Sequence, residues 1–593
     1  MKFQAIKDLE SHLATEFGAG SLDVAADLCP PEFAGDITVN CFVLAKQLRR
    51  APPQIAAKAV AFLSGHADVA AAECLKAFVN VTFKPAALFR DTVADLGALL
   101  EDARFPAAQR QRVLIEYSAP NTNKPQHLGH VRNNTLGMAT AAVLREAGHA
   151  VVPVNLINDR GIHICKSMLA YQRWGNGETP ESVGKKGDHF VGDYYVKFDA
   201  EFRKQLAALR TAQPELKDKA DEDLFLETEI GRAAQDMLVA WENHDPTVHN
   251  LWQTMNGWVL AGFEQTYARM GVRFDKVYLE SNTYQLGKDI IRDGLARGVF
   301  QKRDDGAVFI DLEDKGLGTK VVLRSDGTSV YITQDIGTTL LKQNEHQPDR
   351  QIWVVGDEQK HHFQVLFAIL QKLGYPWASE LTHMAYGMVN LPSGRMKSRE
   401  GTVVDADNLF DEMRDLARQE TLTRAGADVP ADLDERAQVI AMAATKFMLL
   451  KVNPRTTILF DPQASVTFEG DTGPYVLYAY ARISSMLRKA DAGALAGAVD
   501  WSVLGVPEEK DLALRCSQYG TVVRKAAVDL DTSCLSSYLL DLAKSFSRFY
   551  RACSVLGAPT PELRRARLEL SAVTRTVLKA GLSALTVGTL ESM

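Results

Sequence analysis

The segment Ser118-Ala119-Pro120-Asn121-Thr122-Asn123-Lys124-Pro125-Gln126-His127-Leu128-Gly129-His130 gathers two imidazoles, an ammonium and a glycine into one short stretch. An apolar strand candidate, Val113-Leu114-Ile115, precedes it, and Asn133-Asn134-Thr135-Leu136-Gly137 carries it on into helical spacing. A strand, a turn rich in Pro and Asn, then His-x-Gly-His opening a helix is a layout for holding phosphates. Glycine removes the Cβ that would keep a nucleotide off the backbone. The free N–H groups of a helix start turn partial positive charge toward an anion, and side chains three residues apart leave one helical turn on the same side. Taken alone, two histidines at this spacing also fit solvated surface residues or half of a metal site. Zinc would need further ligands, and neither a Cys pair nor a His-Glu-x-x-His pattern lies nearby.

A second stretch, Leu391-Pro392-Ser393-Gly394-Arg395-Met396-Lys397-Ser398-Arg399-Glu400-Gly401-Thr402, combines glycines, small hydroxyl residues and three cations. Such a cationic loop suits a reaction in which negative charge grows on a leaving phosphate group, because a stabiliser acts best where charge develops. As an isolated motif it also fits a solvated Lys/Arg loop.

The elements that must position these residues follow from the apolar pattern. Residues 1–105 read as a small α/β unit, with helical spacing at Ile6, Leu9, Leu13 and Phe17 and alternation in Phe78–Phe83. From Arg112 buried strands alternate with helices, at Val113–Glu116, Ala150–Leu156 and Ile352–Val355, the pattern of a parallel α/β sheet. A polar, helical block at about 165–300 reads as an insertion, after which strand signals resume at Gly306–Leu312 and Lys320–Leu323. Beyond 406 the spacing is helical throughout, broken at Pro430, Asp461-Pro462, Gly505-Val506-Pro507 and Gly557-Ala558-Pro559. The predicted class is α/β: a Rossmann-type parallel-sheet domain over 106–405 with a helical insertion, a small α/β domain over 1–105, and an all-α bundle over 406–593.

Composition narrows the function classes. Hydrophobic residues make up 46% and charged residues 24% of 593, ordinary for a soluble protein. No apolar run approaches the ~18 residues of a membrane helix, and the N-terminus lacks a signal-peptide pattern. Seven scattered cysteines without Cys-x-x-Cys fit reduced thiols in the cytoplasm. At a net charge of −7, a nucleic acid would have to be met by local basic patches; Lys46, Arg49 and Arg50 form one that could touch RNA, although a solvated helix end explains them better.

The two loops together resemble the paired signatures of class I aminoacyl-tRNA synthetases. Their flanks, Ile115-Glu116-Tyr117-Ser118 through His130-Val131-Arg132-Asn133, Tyr331-Ile332-Thr333-Gln334-Asp335-Ile336-Gly337 and Gly470-Asp471-Thr472-Gly473-Pro474-Tyr475-Val476-Leu477-Tyr478, are similar to those of arginyl-tRNA synthetases. The resemblance implies an ATP-dependent ligase that joins L-arginine to tRNA(Arg), uses Mg²⁺ on the pyrophosphate, holds no metal of its own, and works as a monomer. It implies that His127 and His130 contact the ATP phosphates, that Gly129 leaves room for the adenine, and that His362, Met396, Lys397 and Ser398 complete the nucleotide side. Glu116, Ser118, Asn121, Glu280, Tyr331, Asp335 and Gln359 would form the arginine site, with Asp335 and Glu280 as acids matched to the guanidinium fork. Read without the resemblance, Asp335 and Glu280 fit helix caps and Tyr331 a core aromatic. Arg395 stands where the family has its first loop Lys, or, in a register shifted by one residue, Lys397-Ser398 pairs with the end of the signature; Lys124 is placed to substitute for the missing Lys, and Ala119 replaces a second Ser. The C-terminal bundle would bind the anticodon through Tyr478, Arg482, Arg488 and Arg548, with Tyr480 a further stacking candidate and Lys489 a further cation, and the N-terminal unit would also touch tRNA. A nucleotidyltransferase of the same superfamily and a non-catalytic tRNA-binding paralogue are the alternative readings.

Overall fold

The computed structural model describes residues 3–30, 32–392, 404–426, 429–490 and 497–593. Strands β1 (Ala26–Leu28), β2 (Ile37–Asn40), β3 (Val69–Leu75) and β4 (Phe78–Phe83) make an antiparallel sheet in the order β1-β2-β4-β3. Its core is closed by the helix Gln4–Phe17, which buries Ile6, Leu9 and Leu13, and by Pro52–Ser64, which buries Ile55, Ala59 and Leu63. The spacing read from the sequence therefore marks the faces that pack.

A second sheet carries the site. Strands β5 (Arg112–Glu116), β6 (Ala150–Ile157) and β7 (Lys276–Leu279) are followed by a small antiparallel sheet of β8 (Gln301–Lys302), β9 (Val308–Asp311) and β10 (Thr319–Leu323). Strands β11 (Arg350–Gly356) and β12 (Leu381–Tyr386) then return to the main sheet. Its order is β12-β11-β5-β6-β7 and every pairing is parallel. The chain builds outward from β5 to β6 and β7, then crosses to β11 on the other side. A crevice opens at such a reversal, outside the carboxyl ends of the strands. The segments following β5, β6, β7 and β11 all leave from that edge.

The block between β6 and β7 is helical, with Ile162–Trp174, Gly187–Ala212, Glu229–Glu242 and Pro246–Met270. The insertion stops short of the predicted residue 300, because β7 lies inside that block. It is a short edge strand whose first two residues are exposed, so it carries no apolar run to read.

After residue 404 the described structure is almost wholly helical, from Ala406–Ala425 and Leu433–Leu450 to Pro561–Ala584. Among the described residues no helix is long and apolar enough to cross a membrane. The bundle is tied to the main sheet by Arg132, which is fully buried in the helix Leu128–Glu146. Its guanidinium donates to the carbonyls of Gly387 (2.9 Å), Leu449 (3.2 Å), Pro454 (2.8 Å) and Thr456 (3.0 Å). Beside it, β13 (Val389–Asn390) pairs in parallel with β14 (Ile458–Leu459).

Replacing Arg132 with Met keeps the apolar stem and strands these carbonyls without donors. Each hydrogen bond to a charged group is worth about 1.5–3 kcal/mol, so the variant is expected to lose at least ~3 kcal/mol. Urea unfolding should show the first transition at clearly lower denaturant; an unmoved midpoint would mean that water replaces the guanidinium at no cost.

Candidate active site

His127 is the N-cap of the helix Leu128–Glu146, in extended backbone conformation. Its Nδ1 accepts the Gly129 N–H at 3.1 Å, and Nδ1 of His130 accepts the His127 N–H at 3.2 Å. This reciprocal cap is usually made by Ser or Thr with Glu; here imidazoles do it. An Nδ1 that accepts forces the ring proton onto Nε2, so each ring presents an Nε2–H away from the cap. The ring centroids are 4.1 Å apart. Burial, with Lys124 adding to it, pulls His127 down to about 4, and burial plus the neighbouring His127 takes His130 well below its ordinary value. Both rings are therefore neutral donors at pH 7. A Cβ on Gly129 would stand 2.9 Å from Cε1 of His127, so this glycine first of all lets the capping ring fold over the helix start. Lys124 sits half-buried in the preceding turn, and desolvation lowers its ammonium's pKa.

The turn between β5 and this helix is strained at Ser118 (φ 81°) and Ala119 (φ 45°), a left-handed conformation uncommon outside glycine. Two asparagine side chains hold it: Asn133 Oδ1 accepts the Ser118 N–H at 2.6 Å and Asn155 Oδ1 accepts the Ala119 N–H at 2.9 Å. The Ser118 hydroxyl is buried against Tyr267, 2.7 Å away. That position corrects its reading as an arginine ligand, since the hydroxyl is already engaged beneath the turn.

Arg395, Met396, Lys397 and Ser398 lie outside the described residues. The flanks of their loop do not. Before it comes β13; after it, the Val404 carbonyl accepts the Leu128 N–H at 3.3 Å and the Ala406 N–H donates to Gln126 at 2.8 Å. Asp405 forms an antiparallel bridge to His127 itself. The chain thus returns from the second loop directly against the first motif.

A cleft of about 1080 Å³ opens beside these elements, lined by Asn121, Arg160, Glu242, Glu280, Tyr331 and Asp335 among others. Asn121 and Tyr331 are exposed, Tyr331 at 77%. Glu280 begins a single helical turn directly after β7, and Asp335 stands in the first turns of Tyr331–His346 without capping it. Burial lifts the Glu280 carboxyl to about 7, with Arg160 opposing and the charges of Asp159 and Asp335 reinforcing the rise. Asp335 Oδ2 lies 2.6 Å from His362 Nε2, so the structure joins a residue expected on the arginine side to one expected on the nucleotide side. Gln359 is exposed in the turn after β11, outside the residues that line the cleft.

Glu116 requires a correction. It is buried, absent from the cleft lining, and ion-paired to the buried Lys342. An acid at a strand end looks available in sequence, but here an ammonium from a distant helix already neutralises it. Tyr480 is corrected likewise: it is fully buried and its hydroxyl donates to Glu591, so no base can stack on it. Tyr478 is half-buried, with the Arg482 guanidinium 4.5 Å over its ring; Arg488 is exposed 3.8 Å from Glu591, and Arg548 is exposed on Asp511 at 2.7 Å.

Two residues escape a reading of the sequence: Arg160, which lines the cleft, and Asp159, buried beside it. The buried Asp159 carboxylate accepts both the N–H (2.8 Å) and the hydroxyl (2.7 Å) of Ser281, and so fixes the turn that carries Glu280. Arg160 Nη2 donates to Glu242 at 2.8 Å. The available signal is positional: charged residues directly after a central parallel strand sit at the edge where ligands bind.

A parallel sheet with a donor-rich helix start after its first strand, and a helical bundle behind it, is the class I tRNA synthetase architecture. The family model described as tRNA synthetases class I (R), catalytic domain, matches residues 96–461. The arginyl tRNA synthetase N-terminal domain matches 4–83, and the DALR anticodon binding domain matches 476–593. The chain is 44% identical to an arginine–tRNA ligase of Bacteroides fragilis over 93% of each chain. It is 41% identical to one of Amoebophilus asiaticus, over 97% of this chain and 95% of the other. Among solved structures it resembles the arginyl-tRNA synthetase of Thermus thermophilus at 27% identity, with a TM-score of 0.79 and full coverage of both chains. The chain belongs to the arginyl-tRNA synthetase family.

The capping geometry makes a direct prediction. Ring ¹⁵N spectra should show His127 and His130 as neutral Nε2–H tautomers at every pH from 6 to 8. Titration of either ring with a midpoint near the ordinary value of about 6.5 would contradict the Nδ1 acceptor role.

Proposed function

We propose that this chain is an arginine–tRNA ligase acting as a cytoplasmic monomer. ATP and L-arginine give arginyl-adenylate and pyrophosphate, and the arginyl group then passes to the 3′-terminal ribose of tRNA(Arg). One juxtaposition carries this reading: paired neutral N–H donors and a cleft with two acids open from the same edge of one parallel sheet, in a chain of this family. The first suits phosphate oxygens, the second a guanidinium.

In this reading the arginine carboxylate attacks the α-phosphorus and pyrophosphate leaves. His127 and His130 donate through Nε2 to the oxygens on which charge develops, worth most in the transition state. Being neutral, they add no charge that must be dissipated when product departs. Lys124, Arg395 and Lys397 supply the cations for the leaving pyrophosphate, and Gly129, Met396 and Ser398 flank the nucleotide. The groups facing this site are N–H donors, which fit anionic oxygens and not a metal ion, so Mg²⁺ enters as part of MgATP. Asp335 and Glu280 take the guanidinium beneath Tyr331, while Asn121 and Gln359 take the amino and carboxylate groups. His362 orients the Asp335 carboxylate. Residues 406–593 read the anticodon, with Tyr478, Arg482, Arg488 and Arg548 toward it, residues 1–105 add tRNA contacts, and 106–405 perform the chemistry. A tRNA ribose hydroxyl then attacks the arginyl carbonyl and AMP leaves.

ATP–pyrophosphate exchange should be arginine-dependent and should require tRNA; no exchange with any amino acid would sink the enzyme reading. Asp335→Asn should raise the arginine KM at least tenfold with little change for ATP, since losing a charged partner at a desolvated site costs about 2–5 kcal/mol.

The raised Glu280 carboxyl fixes the sign of a pH effect. A guanidinium binds the carboxylate, so below about pH 7 binding must first expel a proton. The arginine KM should therefore fall as pH rises from 6 to 8, by up to about tenfold per unit on the acid side. Glu280→Gln should raise the KM and flatten this dependence; a profile unchanged by the substitution would assign the titration elsewhere.

A further inference from the structure

A cleft offered to a cationic amino acid already contains a guanidinium of the chain itself. Arg160 leaves the turn after β6 with its side chain only 10% exposed. Its Nη2 is 2.8 Å from Glu242 and its Nη1 3.9 Å from Glu280. The Cζ lies 4.0 Å from the Tyr284 ring centroid and 5.2 Å from that of Trp241. Its Nε is buried with no hydrogen-bond partner among the described residues. The backbone around it is held: Asp159 is locked to Ser281, and Gly161 follows with φ 100° in a region that side chains avoid. Arg160 is thus a wall and not a swinging arm.

We propose that Arg160 is a specificity-determining residue, a fixed cation that admits a planar guanidinium beside Glu280 and rejects a compact ammonium. This rests on the arginine-ligase reading and adds the basis of its selectivity. Glu242 is taken up by Arg160, and Glu280 feels it at one oxygen, so any incoming cation meets a like charge. A guanidinium tolerates this: its charge is delocalised and weakly hydrated, it bonds acids in its plane, and its faces stack. An ammonium is a compact, strongly hydrated charge, and Arg160 offers it only further donors. Such a repulsive element discriminates by penalising the wrong ligand.

The test is ATP–pyrophosphate exchange with arginine and with lysine, tRNA present, in the parent, Arg160→Met and Arg160→Lys. In Arg160→Met the ratio of kcat/KM for arginine over lysine should fall at least about tenfold, a ~1.4 kcal/mol change in discrimination. The pH midpoint of the arginine KM should also rise, because Glu280 loses its cation. Arg160→Lys, which keeps the charge, should recover most of both. Equal losses for the two amino acids with an unmoved midpoint would overturn the proposal and leave Arg160 a structural wall. Should Arg160→Met fail to fold, Glu242→Gln frees the guanidinium toward Glu280 and should move the midpoint down; no movement, or a rise, would overturn it. A parent without arginine-dependent exchange would overturn both readings, whereas normal parental exchange with unchanged selectivity in the variants would overturn this one alone.

Discussion

A guanidinium removed from water must place its donors on acceptors, and Arg132 finds four backbone carbonyls on segments more than 250 residues further along the chain. It sits only a few residues after the His127–His130 cap, on the same helix. The helix start is therefore fixed relative to Gly387 and β13, which lead into the second loop, and relative to Leu449 and Pro454 in the helical region. Burial lowers this guanidinium's pKa to about 10, still far above neutrality, so the charge and its bonds persist. One buried cation thus sets the distance between elements that chemistry requires to act together.

In the proposed reaction the same sheet edge serves an anion and a cation, and the electrostatics separate them. At the helix start the histidines are neutral, and their donor direction is set by backbone bonds instead of by charge. On the other side two acids share one field, and bare carboxylates so close would repel. Asp335 is hydrogen-bonded to His362, and burial lifts Glu280 to about 7, so Glu280 gives the cleft less negative charge than its composition suggests. A bound guanidinium would reverse that and favour the ionised form of Glu280.

Much of this was legible in the sequence, and the failures share a cause. Strands β5, β6 and β11 announce themselves as buried apolar runs, and the helix carrying the histidines follows from its strand-turn-helix context. By contrast β7 is short and half-exposed, so no local pattern marks it. Glu116 and Tyr480 look available because their partners, Lys342 and Glu591, lie 226 and 111 residues away. Arg160 was hidden for the opposite reason: a charged turn residue is ordinarily solvated, and only the fold brings Glu242, Tyr284 and Glu280 around it. Local physics is readable; neutralisation by a distant partner is not.

The far flank of the second loop shows the same principle. Asp407, just beyond it, is bonded to Lys186 at 2.6 Å and Arg269 at 3.0 Å, and stands near His189 at 3.5 Å. These partners hold its carboxyl well below the usual range against the pull of burial. Asp188, His189 and Asp407 lie close enough together to hold a metal ion, but Lys186 already bonds both carboxylates. A divalent cation would have to displace an ammonium and leave it, partly buried, with only the Thr266 hydroxyl as partner, a loss of two charged partners. The cluster is better understood as a tie between the inserted helices and the helix Ala406–Ala425. With Arg132 bonded to Gly387 ahead of the loop and Lys186 and Arg269 bonded to Asp407 behind it, partly or fully buried cations anchor the two flanks of residues 393–403, the first to the histidine helix and the second to the inserted helices.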